Sequence, residues 1–156
     1  MLQESNRIEL KEKLNEKLEK EICAFLNNRE GGVLYVGIAD DGTVIGVSDA
    51  DSLQKKVAER LRDNILPSAL GLYDVTSEEM DGKTVIKVIV SSGTEKPYYI
   101  KENGMYSAGC FIRVGTTVQT MSTSMIDELY SKRLRTHTRR NSPSPRQDLT
   151  SPQLKT

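Results

Sequence analysis

The sequence has few of the side chains that nucleophilic catalysis or a structural zinc site would require. It contains two cysteines, Cys23 and Cys110, and a single histidine, His137. These cannot form a four-ligand zinc site or a disulfide framework, and the position of His137 in a basic segment does not support Cys–His or Ser–His–Asp catalysis. Both cysteines lie in apolar patterns, which favours small core side chains over nucleophiles. So few cysteines fit a reducing cytoplasm.

A long hydrophobic run is also lacking. The longest apolar segments, such as VIKVIV, are far shorter than the about 20 residues that cross a bilayer. No basic and apolar leader opens the sequence. We therefore expect a soluble cytoplasmic protein without a membrane partner. With 156 residues, 37% of them hydrophobic, the chain is long enough to bury one core, which favours a single domain.

The net charge is zero, but the charges are unevenly distributed. Residues 1–130 contain 15 basic and 21 acidic residues, a net charge of −6, whereas residues 131–156 contain 7 and 1, a net charge of +6. From Thr136 onward the sequence carries three of the five prolines and no periodic apolar face. This composition is typical of a disordered tail or linker. We therefore place the domain at residues 1–135 and the tail at residues 136–156.

Apolar residues recur at three- and four-residue intervals in two segments, which predicts two amphipathic helices. The buried stripe of the first helix is expected to contain Leu10, Leu14, Leu18, Ile22 and Phe25. Asn27, Asn28 and the pair Gly31–Gly32 then end it. The second helix is capped by Ser48 or Asp49 and stopped by Pro67. A third helix is expected to begin at Ser124.

Between the helices, short apolar runs predict strands. GVLYVGIA and TVIGV flank a DDG turn, and LGLYDV and KTVIKVIV flank the polar segment TSEEMDG, so each pair predicts a hairpin. KPYYI and CFIRVGTTV supply at least one further strand pair. This order of elements predicts an α+β fold, in which a mixed or mainly antiparallel sheet packs against two to three helices.

Two motifs in these segments have ordinary structural explanations. NNREGGVLYVGIADDG resembles a glycine-rich phosphate loop only superficially, because it has neither the GxxxxGK[ST] nor the GxGxxG spacing. Gly31 and Gly32 are explained by a helix stop with left-handed dihedral angles and by close backbone approach. Tyr98 and Tyr99 could stack on an unpaired base, but packing within the sheet is the more common role of strand tyrosines.

Several acidic residues are candidate metal ligands, although each also has a structural explanation. Asp40 and Asp41 lie in an Asp-Gly turn between apolar runs, which is typical of a hairpin. Glu4 and Glu9 lie beside a charged segment, where carboxylates are usually solvated. Their spacing of five would place them on opposite faces of a regular strand. They could reach one metal only if the backbone bends or bulges near Ser5–Asn6.

Five segments, in order, resemble the Schlafen AlbA-like domain, a family often described in bacteria as DNA-binding or divergent ATPase-associated. They are ESNRIELK, AFLNNREGGVLYVGIADDGTVIGV, the helix end ILP, VIKVIV and KPYYIKENGMYSAGCFIRVGTT. The resemblance extends from about Glu4 to Leu129. Its most specific parts are the opening E-S-x-x-x-E-[FL]-K, the N-x-x-G-G with a strand ending in G-[IV]-x-D-D-G, and the late [FY]-I-R-V-G.

The resemblance implies a set of site residues. Ribonuclease members of the Schlafen family cleave structured RNA with three carboxylates and a divalent metal, and these carboxylates correspond to Glu4, Glu9 and Asp41. Mg²⁺ or Mn²⁺ is the implied metal, since both take hard oxygen ligands and leave positions open for phosphate and water. Lys11 in the opening motif and Arg113 in FIRVG would then contact phosphate.

The resemblance also implies how the domain is used. Single-copy bacterial relatives commonly precede a helix-turn-helix or winged-helix region in longer proteins, and SPRQDLTSPQLKT resembles the start of such a continuation. Schlafen nucleases join two copies into one clamp, so a comparable groove here requires a homodimer. We therefore predict the amino-terminal, nucleic-acid-binding domain of a bacterial transcriptional regulator, with DNA or structured RNA as partner. The alternatives are a metal-dependent ribonuclease and an interaction module without activity.

A basic run near the end of the sequence is the remaining candidate for phosphate contacts. It consists of Lys132, Arg133, Arg135, Arg139 and Arg140. Such a run can complement a helix dipole and can serve as a phosphate-binding arm. A solvated linker explains it equally well. As an arm it would offset the long-range repulsion between phosphate and a domain of charge −6.

Overall fold

The computed structural model describes residues 2–141, with side chains as far as Thr136. The elements in chain order are β1 (Ile8–Lys11), α1 (Leu18–Asn27), β2 (Gly32–Val36), α2 (Ala50–Asn64), β3 (Ile65–Leu66), β4 (Tyr73–Met80), β5 (Lys83–Val90), β6 (Tyr99–Ile100), β7 (Phe111–Val114), β8 (Thr117–Thr120) and α3 (Thr123–Asn141). Helices and strands are interspersed, which confirms the predicted α+β class.

The main sheet has four strands in the order β1-β2-β5-β4. β1 and β2 are parallel, whereas the β2–β5 and β4–β5 pairs are antiparallel, so the sheet is mixed as expected. β3 with β6 and β7 with β8 form two further antiparallel pairs. The parallel pair requires a crossover, and α1 provides it.

α1 lies at the centre of the molecule. Nine of its ten residues are buried, because the helix contacts the main sheet on one side and the β7–β8 pair on another. Its apolar side chains join the core formed by β2, β5 and the inner face of α2. The fully buried members of this core include Leu18, Ile22, Leu34, Leu61 and Ile86. Contacts on more than one side leave α1 little solvent-facing surface.

The first predicted helix was placed too far toward the amino terminus. Leu10 belongs to β1 and packs with Tyr35 and Val85 in a second, smaller core. Between β1 and α1 the Asn15 side chain accepts a hydrogen bond from the Lys17 amide at 2.9 Å, which favours a turn over helix. The three- and four-residue spacing of apolar residues therefore extends by coincidence from α1 back across a turn and β1, where it does not indicate a helix.

Both predicted hairpins differ from expectation in extent. The return segment TVIGV forms a single bridge, Ile38 to Val44. Its other backbone bonds include those from Ile45 and Gly46 to the Gly37 carbonyl and from Val47 to the Thr84 carbonyl. β4 instead includes most of TSEEMDG. It is an edge strand with one solvated face, so its polar residues do not oppose strand formation. The turn that remains is Asp81–Gly82.

The predicted starts of the second and third helices are close to those observed. Asp49 caps α2 by accepting the Ser52 amide at 3.2 Å, and α2 ends shortly before Pro67. Ser122 Oγ accepts the Met125 amide at 3.2 Å at the start of α3. α3 then continues to Asn141, past the residue-135 boundary that composition predicts. The rest of the predicted tail lies outside the described residues.

No helix within residues 2–141 combines the length and the apolar character that crossing a membrane requires. Both cysteines are completely buried free thiols, as their sequence context predicts. Burial raises the pKa of the Cys110 thiol to about 11, and it raises that of Cys23 further. Tyr98 is likewise fully buried in the core, which confirms its packing role.

Candidate nucleic-acid interface

A tight turn before β1 supplies the bend that a two-glutamate site requires. The Ser5 amide donates to the Ile8 carbonyl at 3.1 Å, and the reverse bond measures 3.5 Å. The backbone therefore bends near Ser5–Asn6, which is the condition that the sequence sets for Glu4 and Glu9 to come together. It leaves Asn6 and Arg7 exposed at the tip of the turn.

The turn brings Glu4 and Glu9 together. Burial raises the pKa of the Glu4 carboxyl, and a hydrogen bond and like charge from Glu9 raise it further. Asp40 adds a smaller repulsion of the same sign. The Leu10 amide opposes these effects by donating to Glu4 Oε2 at 3.3 Å. Two of the three predicted carboxylates are therefore neighbours.

The third carboxylate does not join them. Asp41 is exposed and accepts the Thr43 amide at 2.9 Å, and its hydrogen bonds with Thr43 lower its pKa. The Asp-Gly corner thus functions as a turn, and the aspartate whose charge raises the pKa of Glu4 is Asp40. In the part of the chain that the structure describes, no group of three Asp, Glu, His or Cys residues is placed to hold a metal. The predicted Mg²⁺ or Mn²⁺ set of Glu4, Glu9 and Asp41 does not fit this arrangement.

Arg113 forms an ion pair with Glu9 and holds the turn that precedes β1. Its Nη1 donates to Glu9 Oε1 at 2.5 Å, its Nε and Nη2 donate to the Ser5 carbonyl at 2.9 and 2.8 Å, and Nη2 also donates to the Ile8 carbonyl at 2.9 Å. The guanidinium lies 5.1 Å from the centre of the Phe25 ring. Its side chain is 0% exposed. Arg113, which the sequence predicts to contact phosphate, is therefore a buried residue that links Glu9 to the turn before β1.

Lys11 is also buried and paired. Its Nζ lies 3.0 Å from Glu21 Oε1, and its side chain is 6% exposed. Burial raises the pKa of the Glu21 carboxyl, although the charges of Lys11 and Arg113 oppose this effect. Lys11 is thus held by a residue of α1 in the interior, and its contact with phosphate stays a prediction.

The basic residues of α3 have different roles. Arg133 Nη1 donates to the Glu95 carbonyl at 2.9 Å, and its guanidinium lies 4.8 Å from the centre of the Tyr130 ring. Arg133 thus attaches α3 to the loop before β6. Lys132 and Arg135 are exposed. Arg139 and Arg140 lie within α3, but their side chains are outside the described part, so their phosphate role stays a prediction.

This attachment places Lys132 beside a lysine that the sequence did not identify. The Lys96 ammonium donates to Ser92 Oγ at 2.8 Å, and Ser92 Oγ in turn donates to the Asn28 carbonyl at 2.6 Å. Burial lowers the pKa of Lys96, and the nearby positive charges of Lys132 and Arg29 lower it further. We refer to Arg29, Lys96 and Lys132 as the basic cluster. Its members come from three distant segments, so no sequence pattern could reveal it.

A polar cleft adjoins the basic cluster, and Arg29 belongs to both. The cleft has a volume of about 340 Å³ and is lined by residues 6–7, residues 28–30, Arg113 and Gly115. Arg7 Nε lies 3.8 Å from Glu30 Oε1 at its rim, and both side chains are largely exposed. We call this the arginine cleft. Together the cluster and the cleft form a surface suited to a phosphate-bearing ligand.

An α+β domain with this mixed sheet and amino-terminal turn matches a known family. The chain belongs to the Schlafen, AlbA_2 family, whose model matches residues 4–122. This match confirms the resemblance seen in the sequence motifs. No curated protein sequence matches the chain.

Two solved structures have a similar fold. One is the crystal structure of the DIP2311 protein from Corynebacterium diphtheriae, with a TM-score of 0.58 and 22% identity over 81% of this chain. The other is the solution structure of the N-terminal domain of the "Putative ATP-dependent DNA Helicase RecG-related Protein" from Nitrosomonas europaea, with a TM-score of 0.56 and 29% identity over 74% of this chain. The matches cover 24% of the first structure's chain and 83% of the second's.

Proposed function

We propose that this chain is a nucleic-acid-binding domain that acts within a larger bacterial protein, and more specifically within a transcriptional regulator. The observation that carries the proposal is the hydrogen-bonded link from the Lys96 ammonium through Ser92 to the Asn28 carbonyl, next to Arg29, with Lys132 also near enough for its charge to act on Lys96. Three neighbouring cations repel one another, and a phosphate backbone would relieve that repulsion. The cluster is thus a better anion site than any single surface lysine.

The environment of the cluster favours phosphate binding. Ser92 orients the Lys96 ammonium, so less side-chain freedom is lost when a ligand binds. Arg133 holds α3 against the Glu95 carbonyl, which keeps the adjacent Lys132 near Lys96. The cations are therefore arranged before the ligand arrives.

Similarity supports the same reading. The Nitrosomonas domain belongs to a protein named as related to a DNA helicase, and it shares 29% identity with this chain. This chain matches only 24% of the Corynebacterium chain, which is consistent with domains of this fold occurring in longer proteins. We carry over the general role, handling of nucleic acid, and not helicase activity.

The proposal is tested by the salt dependence of binding. We expect the full chain to bind a fluorescent oligonucleotide in about 50 mM salt, and Lys132→Ala to weaken binding to all sequences alike. Each phosphate contact that is lost should reduce the slope of log K against log[salt] by about 1. Fluorescence anisotropy over a salt series gives that slope.

Lys55→Ala provides a control of equal charge change. Lys55 is exposed on α2 and is not part of the basic cluster. Net charge alone would make Lys55→Ala and Lys132→Ala equivalent. Equal effects of the two variants, or failure to bind both duplex DNA and structured RNA in low salt, would contradict the proposal.

The ribonuclease alternative stays a prediction, and the adjacency of Glu4 and Glu9 is the observation that favours it. Incubation of transfer RNA with the protein and Mn²⁺, beside Glu9→Gln and Glu4→Gln, tests it. Cleavage by the wild type that both variants lose would support an enzyme. Since Arg113 engages Glu9, the fold of Glu9→Gln must be checked by circular dichroism.

A further inference from the structure

The arginine cleft has a feature that phosphate binding alone does not explain. It is a concavity of about 340 Å³ between three segments of the chain, residues 6–7, residues 28–30 and residues 113–115, and the exposed side chains of Arg7 and Glu30 lie at its opening. Phosphates on a duplex lie on its outer surface, and a flat cationic surface is enough to contact them. A recess instead suits a group that projects from the strand.

The side chains around the cleft match the edge of a nucleobase. The amides of Asn6 and Asn28 each offer a donor and an acceptor, as the exposed edges of bases require. The Asn28 Nδ2 lies 3.5 Å from the Asn6 carbonyl, a long contact that leaves the amide able to bind a ligand. The guanidinium planes of Arg7 and Arg29 can stack on a base.

Charge distinguishes the cleft from the adjacent cluster. The Glu30 carboxylate lies at the rim of the cleft, where it would repel a phosphate but can accept a hydrogen bond from the exocyclic amine of a base. The basic cluster is formed by Arg29, Lys96 and Lys132. Because Arg29 contributes to both sites, phosphate and base can be bound next to each other.

We propose that the arginine cleft receives one unpaired base of a nucleic-acid strand whose phosphates lie on the basic cluster. This inference rests on the proposed function and specifies its ligand: single-stranded or looped nucleic acid in preference to blunt duplex. A paired base is held inside the stack and cannot enter a recess between three loops, whereas an unpaired base can be turned outward.

The experiment compares three ligands for the full chain by fluorescence anisotropy in low salt. They are a single strand of about 12 nucleotides, the same strand with abasic positions that keep every phosphate, and a blunt duplex. We expect the intact strand to bind on the order of tenfold more tightly than the abasic strand, from the loss of base contacts. The abasic strand and the duplex should bind comparably per phosphate.

Two sets of variants separate the cleft from the cluster. Asn6→Ala with Asn28→Ala should lower affinity for the intact strand to that of the abasic strand, and leave the duplex unchanged. Arg7→Gln, at an exposed position, should do the same in part. Lys96→Ala with Lys132→Ala should weaken all three ligands. Thermal unfolding checks that each variant is folded, and Arg7→Gln serves if the double asparagine variant is not.

The outcomes are distinguishable. If the wild type binds intact and abasic strands equally, or if the cleft variants weaken the duplex as much as the single strand, the base pocket is overturned while the nucleic-acid function stands. If the wild type binds none of the three ligands, the proposed function and this inference fail together.

Discussion

Arg113 makes four hydrogen bonds from a side chain with no exposed surface. Three of these bonds hold the carbonyls of Ser5 and Ile8, and the fourth neutralises Glu9. A charge buried this way is stabilising only while its partner remains, since desolvation is costly for each ion alone. The late FIRVG motif and the opening ESNRIELK motif therefore meet for a structural reason.

Replacing Arg113 with methionine tests this role. We expect Arg113→Met to lower the free energy of unfolding by about 3–5 kcal/mol, because Glu9 would be left buried without its partner. Urea denaturation at neutral pH measures the change. Adding Glu9→Gln should recover part of the loss by removing the unpaired charge.

Arg62→Met is the control for this prediction. Arg62 pairs with Asp63 at 2.8 Å on the surface, where both side chains are more than half exposed. Solvent screens such pairs, so we expect almost no change in stability. Equal effects of Arg62→Met and Arg113→Met would show that burial of the Arg113 pair contributes nothing.

Among the secondary-structure elements, the connection between α1 and β2 requires glycine because it passes very close to the backbone at the end of β5. Gly31 has a φ of +69°, and a Cβ on it would overlap the Val90 carbonyl oxygen. Gly32 similarly leaves no room for a Cβ beside the Phe25 ring. α1 ends earlier, at Asn27 with an extended Asn28, and the glycine pair permits the close backbone approach that the sequence predicts.

Alanine at Gly31 should be more destabilising than alanine at Gly82. Gly82 also has a positive φ, +75°, but no atom lies within 4 Å of the position that an added methyl group would take. We expect Gly82→Ala to cost about 1–2 kcal/mol for the left-handed conformation, and Gly31→Ala a further ~1–3 kcal/mol for the clash with backbone. Urea midpoints of the two variants give the difference. Equal midpoints would contradict the role of close approach.

The ion pair that joins α1 to α2 should contribute less to stability at low pH. Burial alone would raise the pKa of Glu19, but hydrogen bonds from Arg60 and Asn64 on α2 outweigh it and lower that pKa. A lowered folded-state pKa contributes stability above the ordinary value of 4.5 and loses it as pH falls through the folded value. Below pH 4.5, wild-type stability should therefore fall more steeply than that of Glu19→Gln.

Unfolding free energies measured from neutral pH down to acid give the two slopes. Glu59→Gln, at an exposed position on α2, is the matched control and should keep the wild-type slope. Parallel curves for the wild type and Glu19→Gln would exclude this ion pair as a source of acid sensitivity.

At the scale of the whole molecule, one copy offers a small positive surface. The basic cluster supplies three cations, whereas proteins that bind duplex DNA commonly make about 6–10 phosphate contacts. The sequence prediction of a homodimer would double the number of available cations. Light scattering on the full 17.4 kDa chain, alone and with an oligonucleotide, tests it. We expect twice the chain mass, at least with nucleic acid bound, and a monomer in both samples would contradict the homodimer.

Features that depend on neighbours along the chain could be predicted from the sequence alone. The cap at Asp49, the close backbone approach at Gly31–Gly32 and the need for a bend near Ser5–Asn6 all follow from local dihedral preferences and spacing. The ordered motifs also identified the family, which the match over residues 4–122 confirms. Local spacing was less reliable at Leu10, where a strand and a turn imitated helical periodicity.

The roles of the charged residues became clear only from their positions in the folded chain. Lys11 and Arg113 were predicted to bind phosphate, yet Glu21 and Glu9 neutralise them in the interior. Lys96 had no motif and became the centre of the basic cluster because residues distant in sequence surround it. The state of a charge depends on its desolvation and on its partners, and spacing along the chain encodes neither.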